Sequence, residues 1–361
     1  MSLSRLSMDF IFAIKFQLLR SMLRCFPFST QDYSQQRVAW TSALLAVLVV
    51  ITSIVALCQG AVTMSLDQVW QALRHQGDPM FQTIIWDLRL PRIVVALVVG
   101  AALGLSGALL QGLLRNSLAD PFILGISAGA GLVAIAFITL NVLAIWIPLG
   151  AWLGALVTAA VVYGLGYVGG GLSVERLVLA GVAVSSLFGA VQTTLILLAD
   201  DSRIQAALNW LIGSLNGRGW QDLSLVAPYL SVALIVGCLL GRSLNLLNLG
   251  DDAAVGLGVS LVRSRLLIGG IASLLAASAV SISGLIGFVG LVVPHGVRLL
   301  VGADYRWILP LSALAGAWVL TLADLLSRSG AVELPVGAVT ALLGSPLFIA
   351  LLYRRGREAQ A

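Results

Sequence analysis

Lysine is nearly missing from this sequence, and Lys15 is the only one in 361 residues. A Walker A loop needs Gly-Lys-Ser/Thr, so the chain carries no ATPase site of its own, and any energy from ATP must enter through another subunit. Histidine is confined to His75, which reads as solvated in a loop, and His295, and the cysteines to Cys25, Cys58 and Cys238 with no CxxC spacing. No disulfide framework or metal site follows, and the thiols read as inert apolar side chains. His295 follows Pro294 inside an apolar run. A ligand role for haem or iron is one reading; a hydrogen bond to a carbonyl freed by the proline is the other. Charge is sparse at 10% of residues, and Asp120, Glu175, Asp304, Asp324 and Glu333 all fall at the ends of apolar runs. The mid-membrane acid with which an ion-coupled carrier binds and releases its ion is therefore missing. So is the cluster of His, Asp, Glu or nucleophilic Ser at one depth that a membrane enzyme needs.

Apolar surface is what the chain has in quantity. Hydrophobic residues make up 59% of it and the mean hydropathy is +1.00, more than a soluble fold of this size can hide. The 38 glycines suit helices that pack closely in lipid, where association rests on small residues. The runs are continuous and near the ~20 residues of a membrane helix, unlike the ~10-residue alternating strands of a barrel. The fold class is thus all-α integral membrane. Residues 1–37 hold Asp9 and Lys15 within their apolar part and lack an A-x-A-like site, which argues against a cleaved signal. They form either an amphipathic helix lying on the membrane or a poorly ordered extension.

Spans are expected near 38–59, 92–114, 121–140, 143–168, 176–199, 225–243, 264–283, 287–302, 307–327 and 335–353. Ten spans put both termini on one side. With that side inside, Arg74, Arg89, Arg92, Arg203, Arg218 and Arg328 are the outer cations, and the other fifteen of the 21 basic residues are inner. The positive-inside rule therefore orients the chain with both termini in the cytoplasm of a plasma or inner membrane. The net charge of +5 is explained by this topology, and nucleic acid is not expected as a partner. An outer loop at about 200–222 contains RIQAALNWLIGSLNG, too short to span and read as a short helix at the outer mouth. The pairs Gly100/Gly104, Gly125/Gly129 and Gly150/Gly154 read as helix-packing positions. Ser106-Gly107 before an Asn-x-x-x-Asp-Pro turn is echoed by Ser283-Gly284 before Val-Pro-His. Five spans lie between the two, so the echo predicts an inverted internal repeat.

One inner stretch, SLNLLNLGDDAAVGLGVSLVRSR from Ser243 to Arg265, is long and polar, with Asp251 and Asp252 adjacent and Gly250, Gly256 and Gly258 around them. It has the character of a surface read by something outside the lipid.

Four segments in order, RLPRIVVALVVGAALGLSGALLQGLLRNSLADPFILGISAGAG at 89–131, LGDDAAVGLG at 249–258, SGLIGFVGLVVPHGVRLLVG at 283–302 and ELPVGAVTALLGSPLFIALL at 333–352, resemble the FecCD family. These are permease subunits of type II ABC importers for ferric siderophores, haem and vitamin B12. The resemblance covers residues 38–361, a single transmembrane domain, and leaves out only the N-terminal extension. It implies a dimer of permeases, homomeric or with a sister chain, around a central path. It also implies two cytoplasmic ABC ATPase subunits that bind ATP and Mg while this chain binds no cofactor, and a periplasmic or lipid-anchored substrate-binding protein. A ferric-siderophore-type iron chelate is the expected cargo, with haem or vitamin B12 as alternatives.

The same resemblance assigns site residues. Residues 245–262 match the family's two coupling helices, with Leu249, Gly250, Ala254, Leu257 and Gly258 as the bend and contact face for the ATPase. Asp251 and Asp252 would cap the following helix. Arg89, Arg92 and Arg328 match the arginines that meet acids of the binding protein; Arg92 also reads as a membrane-interface anchor. The fifth span would run along the path, with Asn116, Leu118, Ser173 and Val174 at an inner gate and Gln192 and Thr193 offering neutral contacts. Thr193 also reads as bonding its own backbone, as threonine in a helix often does.

Overall fold

A computed structural model describes residues 32–168, 171–330 and 332–358. The chain divides into a small unit, Met1–Trp40, and a large one, Thr41–Ala361. The amphipathic stretch expected near the N-terminus lies outside the described residues. In the small unit, 32–40 are the opening turns of helix α1, Asp32–Cys58.

Beyond α1 come two short helices, α2 (Leu66–Leu73) and α3 (Pro79–Thr83), and a π-helical turn at Ile84–Arg89 that runs directly into α4 (Leu90–Leu113). A 3₁₀ turn at Pro121–Leu124 leads to α5 (Ile126–Thr139), followed by α6 (Ile147–Gly166) and α7 (Val174–Leu197). The short α8 (Asp201–Ile212) precedes α9 (Trp220–Leu239). Two further short helices, α10 (Gly241–Asn248) and α11 (Asp251–Gly256), precede α12 (Leu261–Ser283). The chain closes with α13 (Val289–Val301), α14 (Tyr305–Ser327) and α15 (Val336–Glu358). A two-residue antiparallel pairing joins Tyr167 to Leu172 and Val168 to Gly171.

Among the described residues seven helical stretches are long and apolar enough to cross a membrane, and 126–139, 289–301 and 336–349 are shorter apolar helices. All ten expected spans thus have a helix, with shifted ends. The span expected at 121–140 starts as a 3₁₀ turn, because Gly125 at φ +71 turns left-handed and breaks it from α5. The span expected to end at 243 stops at Leu239, where α10 takes a new direction.

The core is organised on α4, most of whose residues are buried. Small residues explain why. A Cβ on Gly104 would lie 2.2 Å from the Ser312 carbonyl oxygen, and one on Gly107 would lie 1.9 Å from that of Gly290. Backbone-to-backbone approach of α4 to α14 and α13 therefore needs glycine at both positions. Gly129 packs on Gly154 in the same way, with 2.5 Å from an added Cβ to the Gly154 oxygen. The glycine spacings do mark packing seams. Polar side chains reinforce them: Ser106 donates to Ala272 O at 2.7 Å and Gln111 to Leu291 O at 3.0 Å.

Candidate functional site

The polar stretch between α9 and α12 folds as α10 and α11, bolted to the ends of the two central helices. In α10, Leu244 and Leu247 are buried. Its polar side chains bind outward from the element: Asn248 donates to Gly112 O of α4 at 3.2 Å, while Asn245 donates to Asp304 at 2.7 Å and accepts from Tyr305 N at 2.9 Å. Gly112 makes room, since a Cβ there would come within 2.8 Å of Leu244 and Tyr305 side chains. The turn into α11 is fixed by ion pairs. Asp251 accepts from Arg115 at 2.6 Å and from Arg265 at 2.8 Å, and Arg115 also donates to Leu247 O. Partial burial raises the Asp251 carboxyl, but the hydrogen bonds from Arg115 and Arg265 outweigh it and hold the group below its ordinary range.

Gly250 at φ +112 and Gly258 at φ +82 bracket α11. Gly258 ends it in a Schellman arrangement, with Gly258 N donating to Val255 O and Val259 N to Ala254 O, both at 2.9 Å. What this presents outward is apolar: Leu249 is 64% exposed, Val255 56% and Leu257 60%. Three exposed apolar side chains on this charge-pinned hairpin make it a candidate contact surface.

Two expectations need correction here. Ala254 is fully buried, so it packs beneath the contact face and Val255 stands in its place. Asp251 does not cap α11: Gly250 is the N-cap, without a side-chain cap bond, and the carboxylate is taken by the two arginines. Arg115 and Arg265 were legible only as topological charge, because their pairing with Asp251 spans residues distant in sequence.

Asp304, beside α10, caps α14 by accepting from Arg306 N at 2.9 Å. Its carboxyl is held down at about 2, foremost by the Arg306 side-chain bond and further by Asn245 and the Arg306 amide, against the opposing effect of burial. A carboxyl depressed below its unfolded value near ~4 stabilises the fold above that pH and loses its contribution as pH falls through the folded value. Thermal unfolding of wild type and Asp304→Asn should therefore differ at pH 6 and converge toward pH 2; a gap constant with pH contradicts this assignment. A cavity of about 630 Å³ lies beside these groups, lined by Gln111, Arg115, Asn116, Asn245, Asn248 and Arg298 among others.

The gate residues are less connected. Asn116 accepts from Leu118 N at 3.0 Å and Ser173 caps α7 by accepting from Arg176 N at 3.5 Å, so each closes its own turn. Val174 is simply the first residue of α7, and no polar contact joins the two turns among the described residues. Gln192 is turned to a neighbour, donating to Ala128 O of α5 at 2.8 Å, and exposed Thr193 donates to Gly189 O at 2.9 Å, within its own helix.

At the opposite end, the expectation that Arg89, Arg92 and Arg328 are presented to a partner is corrected by their burial. Arg89 and Arg92 are 6% and 9% exposed, and the Arg328 side chain 10%. Arg89 donates to the Leu57 and Val62 carbonyls, stapling the end of α1 to the start of α4. Arg92 donates to Asp324 at 2.8 and 2.9 Å and to Glu333 at 2.6 Å, and Arg328 pairs with Asp324 at 3.2 Å. The reason is Asp324: a carboxylate 1% exposed in the last turns of α14 must be neutralised locally, and these guanidiniums do it.

A second cavity, of about 650 Å³, lies at this end beneath α8.

Residues 47–354 match the model of the FecCD transport family. The chain is 45% identical over 281 residues to the cobalamin import system permease protein BtuC of Halobacterium salinarum, covering 78% of this chain and 75% of the relative. It is 40% identical over 323 residues to the hemin transport system permease protein HmuU of Yersinia pestis, covering 87% and 95% respectively. A solved structure described as a metal-chelate type ABC transporter, inward-facing, superposes with a TM-score of 0.79 at 34% identity, over 86% of this chain and 97% of that one.

Proposed function

This chain belongs to the FecCD transport family of ABC importer permeases, and from that premise we propose that it passes a ferric-siderophore-type iron chelate inward across the plasma or inner membrane. Both termini lie in the cytoplasm in this reading, which the distribution of basic residues supports. Two ABC ATPase subunits, which hold the ATP and Mg, seat on the face formed by Leu249, Val255 and Leu257. That exposed apolar face is the observation that carries the reading, because it sits on α10 and α11, bonded at once to α4 and α14. Closure of the ATPases pushes the hairpin, and the Asp251 ion pairs and Asn245 and Asn248 bonds pass that displacement to the central helices rather than letting the loop yield. A second permease, identical or a sister chain, pairs with this one, and α7 presents Leu179, Val182 and Leu187 as an uncovered apolar face on which it can do so.

A binding protein delivers the cargo to the outer end. Its acids would reach Arg92 only by displacing Glu333, whose side chain is the exposed edge of the network at 37%. A second cargo reading, cobalamin or haem, rests on the likeness to the cobalamin and hemin permeases.

The test is reconstitution in proteoliposomes with the cognate ATPase and binding protein, comparing uptake of a ferric siderophore, haem and cobalamin. ATP-dependent accumulation of the ferric siderophore is expected. Accumulation of cobalamin or haem alone transfers the assignment to that cargo. Uptake that persists without ATP and collapses with the ion gradient identifies a secondary carrier and overturns the reading.

A further inference from the structure

The cavity of about 630 Å³ beside α10 adjoins the exposed apolar face, because Leu249 stands on that face and also lines the cavity. Arg298, in the last turn of α13, lines it too. Its Nη2 donates to Gln111 Oε1 at 3.4 Å and to Tyr305 Oη at 3.2 Å, and its guanidinium lies 5.7 Å from the centre of the Tyr305 ring. Gln111 is itself fixed, being 1% exposed and donating to Leu291 O at 3.0 Å. The cation is thus held by neutral groups from α4 and α14.

The other charges of the lining are matched. Arg115 pairs with Asp251 at 2.6 Å. Asp304 also faces the cavity, but its oxygens are taken by Arg306 at 2.6 Å and by Asn245 at 2.7 Å. Arg298 differs: among the described residues no carboxylate comes within 4.0 Å of it. Its Nε and Nη1 donate to nothing there and, unlike enclosed unpaired atoms, keep accessible surface. Asn116 accepts from Leu118 N at 3.0 Å, which leaves its amide nitrogen as a further donor on the lining. Around the cavity Arg115, Arg265, Arg298 and Arg306 outnumber Asp251, Asp252 and Asp304. A cation in the last turn of a helix is favourable in itself. A guanidinium with two accessible, unused donors in a cationic setting also attracts an oxyanion, and a carboxylate matches its fork.

We propose that an Asp or Glu side chain of the ATPase subunit enters this cavity and pairs with Arg298. The inference rests on the ATPase seat proposed above and adds a charged anchor to its apolar face. Continuity through Leu249 is what favours the ATPase as the source of the anion, since a subunit seated on that residue stands over the cavity. Apolar contact alone leaves register loose, whereas a guanidinium–carboxylate pair fixes it. The bonds of the hairpin named above run to α4 and α14, and Arg298 stands on α13. The pair therefore gives the ATPase a hold on a further helix of the core.

The experiment measures association of the cognate ATPase with the full-length permease in phosphatidylcholine nanodiscs. Wild-type affinity should fall as salt is raised. Arg298→Gln should weaken association about ten-fold, the loss of a charge-assisted hydrogen bond, and flatten the salt dependence. Arg298→Lys, which keeps the charge, should recover most of the loss. A reciprocal series leaves the permease untouched: each acid on the permease-facing surface of the ATPase is changed singly to its amide. One such change should reproduce the ten-fold loss and add nothing further when combined with Arg298→Gln. The inference is overturned if no ATPase acid does so. It is overturned, with the apolar seat left standing, if Arg298→Gln elutes as a folded permease and associates like wild type while Leu249→Asp combined with Leu257→Asp does not. A loss in Arg298→Gln that appears only in nanodiscs containing phosphatidylglycerol assigns the cation to a lipid phosphate and also overturns it. If the double leucine variant associates like wild type, the seat itself is misplaced and this inference falls with it.

Discussion

Leu249→Asp combined with Leu257→Asp is expected to abolish ATP-driven uptake, with association of the ATPase subunit weakened more than a hundred-fold. Each leucine is more than half exposed in the chain and, in the proposed complex, would be covered by the ATPase. Covering the exposed part of each is worth roughly 1–2 kcal/mol, so the pair contributes on the order of one and a half to three decades of affinity. A carboxylate forced into the same contact adds a desolvation cost. The permease itself should fold, because substitution at exposed positions moves stability by only about 0.5 kcal/mol. Co-purification of the ATPase with the double variant, together with size-exclusion behaviour of the permease alone, checks both halves. Loss of the folded permease would mean that the leucines are structural.

Arg92→Ala has the second largest expected effect, and it is a loss of stability. The substitution leaves Asp324, 1% exposed, with only the Arg328 contact at 3.2 Å. Removing one partner from a buried ion pair costs about 3–5 kcal/mol, much of the margin by which a protein of ordinary stability stays folded. Glu333→Gln should cost under about 1 kcal/mol, since that side chain reaches solvent. Thermal unfolding in detergent should rank Arg92→Ala far below Glu333→Gln. The opposite pattern, wild-type stability with lost binding-protein affinity, would return Arg92 to a docking role.

The contrast between those two sites shows what one-dimensional reading can reach. Apolar runs located the ten helical segments because span length is a local property, and the glycine spacings located packing seams because small residues have few other uses in lipid. Counting cations assigns a side of the membrane to Arg89, Arg92 and Arg328 but says nothing of where the side chain turns. The burial of Arg92 and Arg328 follows from Asp324, more than 200 residues from Arg92 along the chain, and that of Arg89 from carbonyls at and just beyond the end of α1. Asp251 looked like a cap because it starts a helix; its partners Arg115 and Arg265 come from other elements. Ala254 and Val255 could not be told apart as core and contact residue in a helix of six residues, too short for a period to appear. The cavity under α8 is assembled from four separated segments, and no motif marks it.

The claim that Leu249, Val255 and Leu257 seat the ATPase is tested most directly by cross-linking. Leu257→Cys, in a chain with Cys25, Cys58 and Cys238 replaced by Ser, would be reconstituted with ATPase subunits carrying single cysteines around their permease-facing groove. The account predicts a high-yield cross-link from position 257 into that groove, which arrests uptake until it is reduced. Cross-links that form from other cytoplasmic loops but never from position 257 would contradict it.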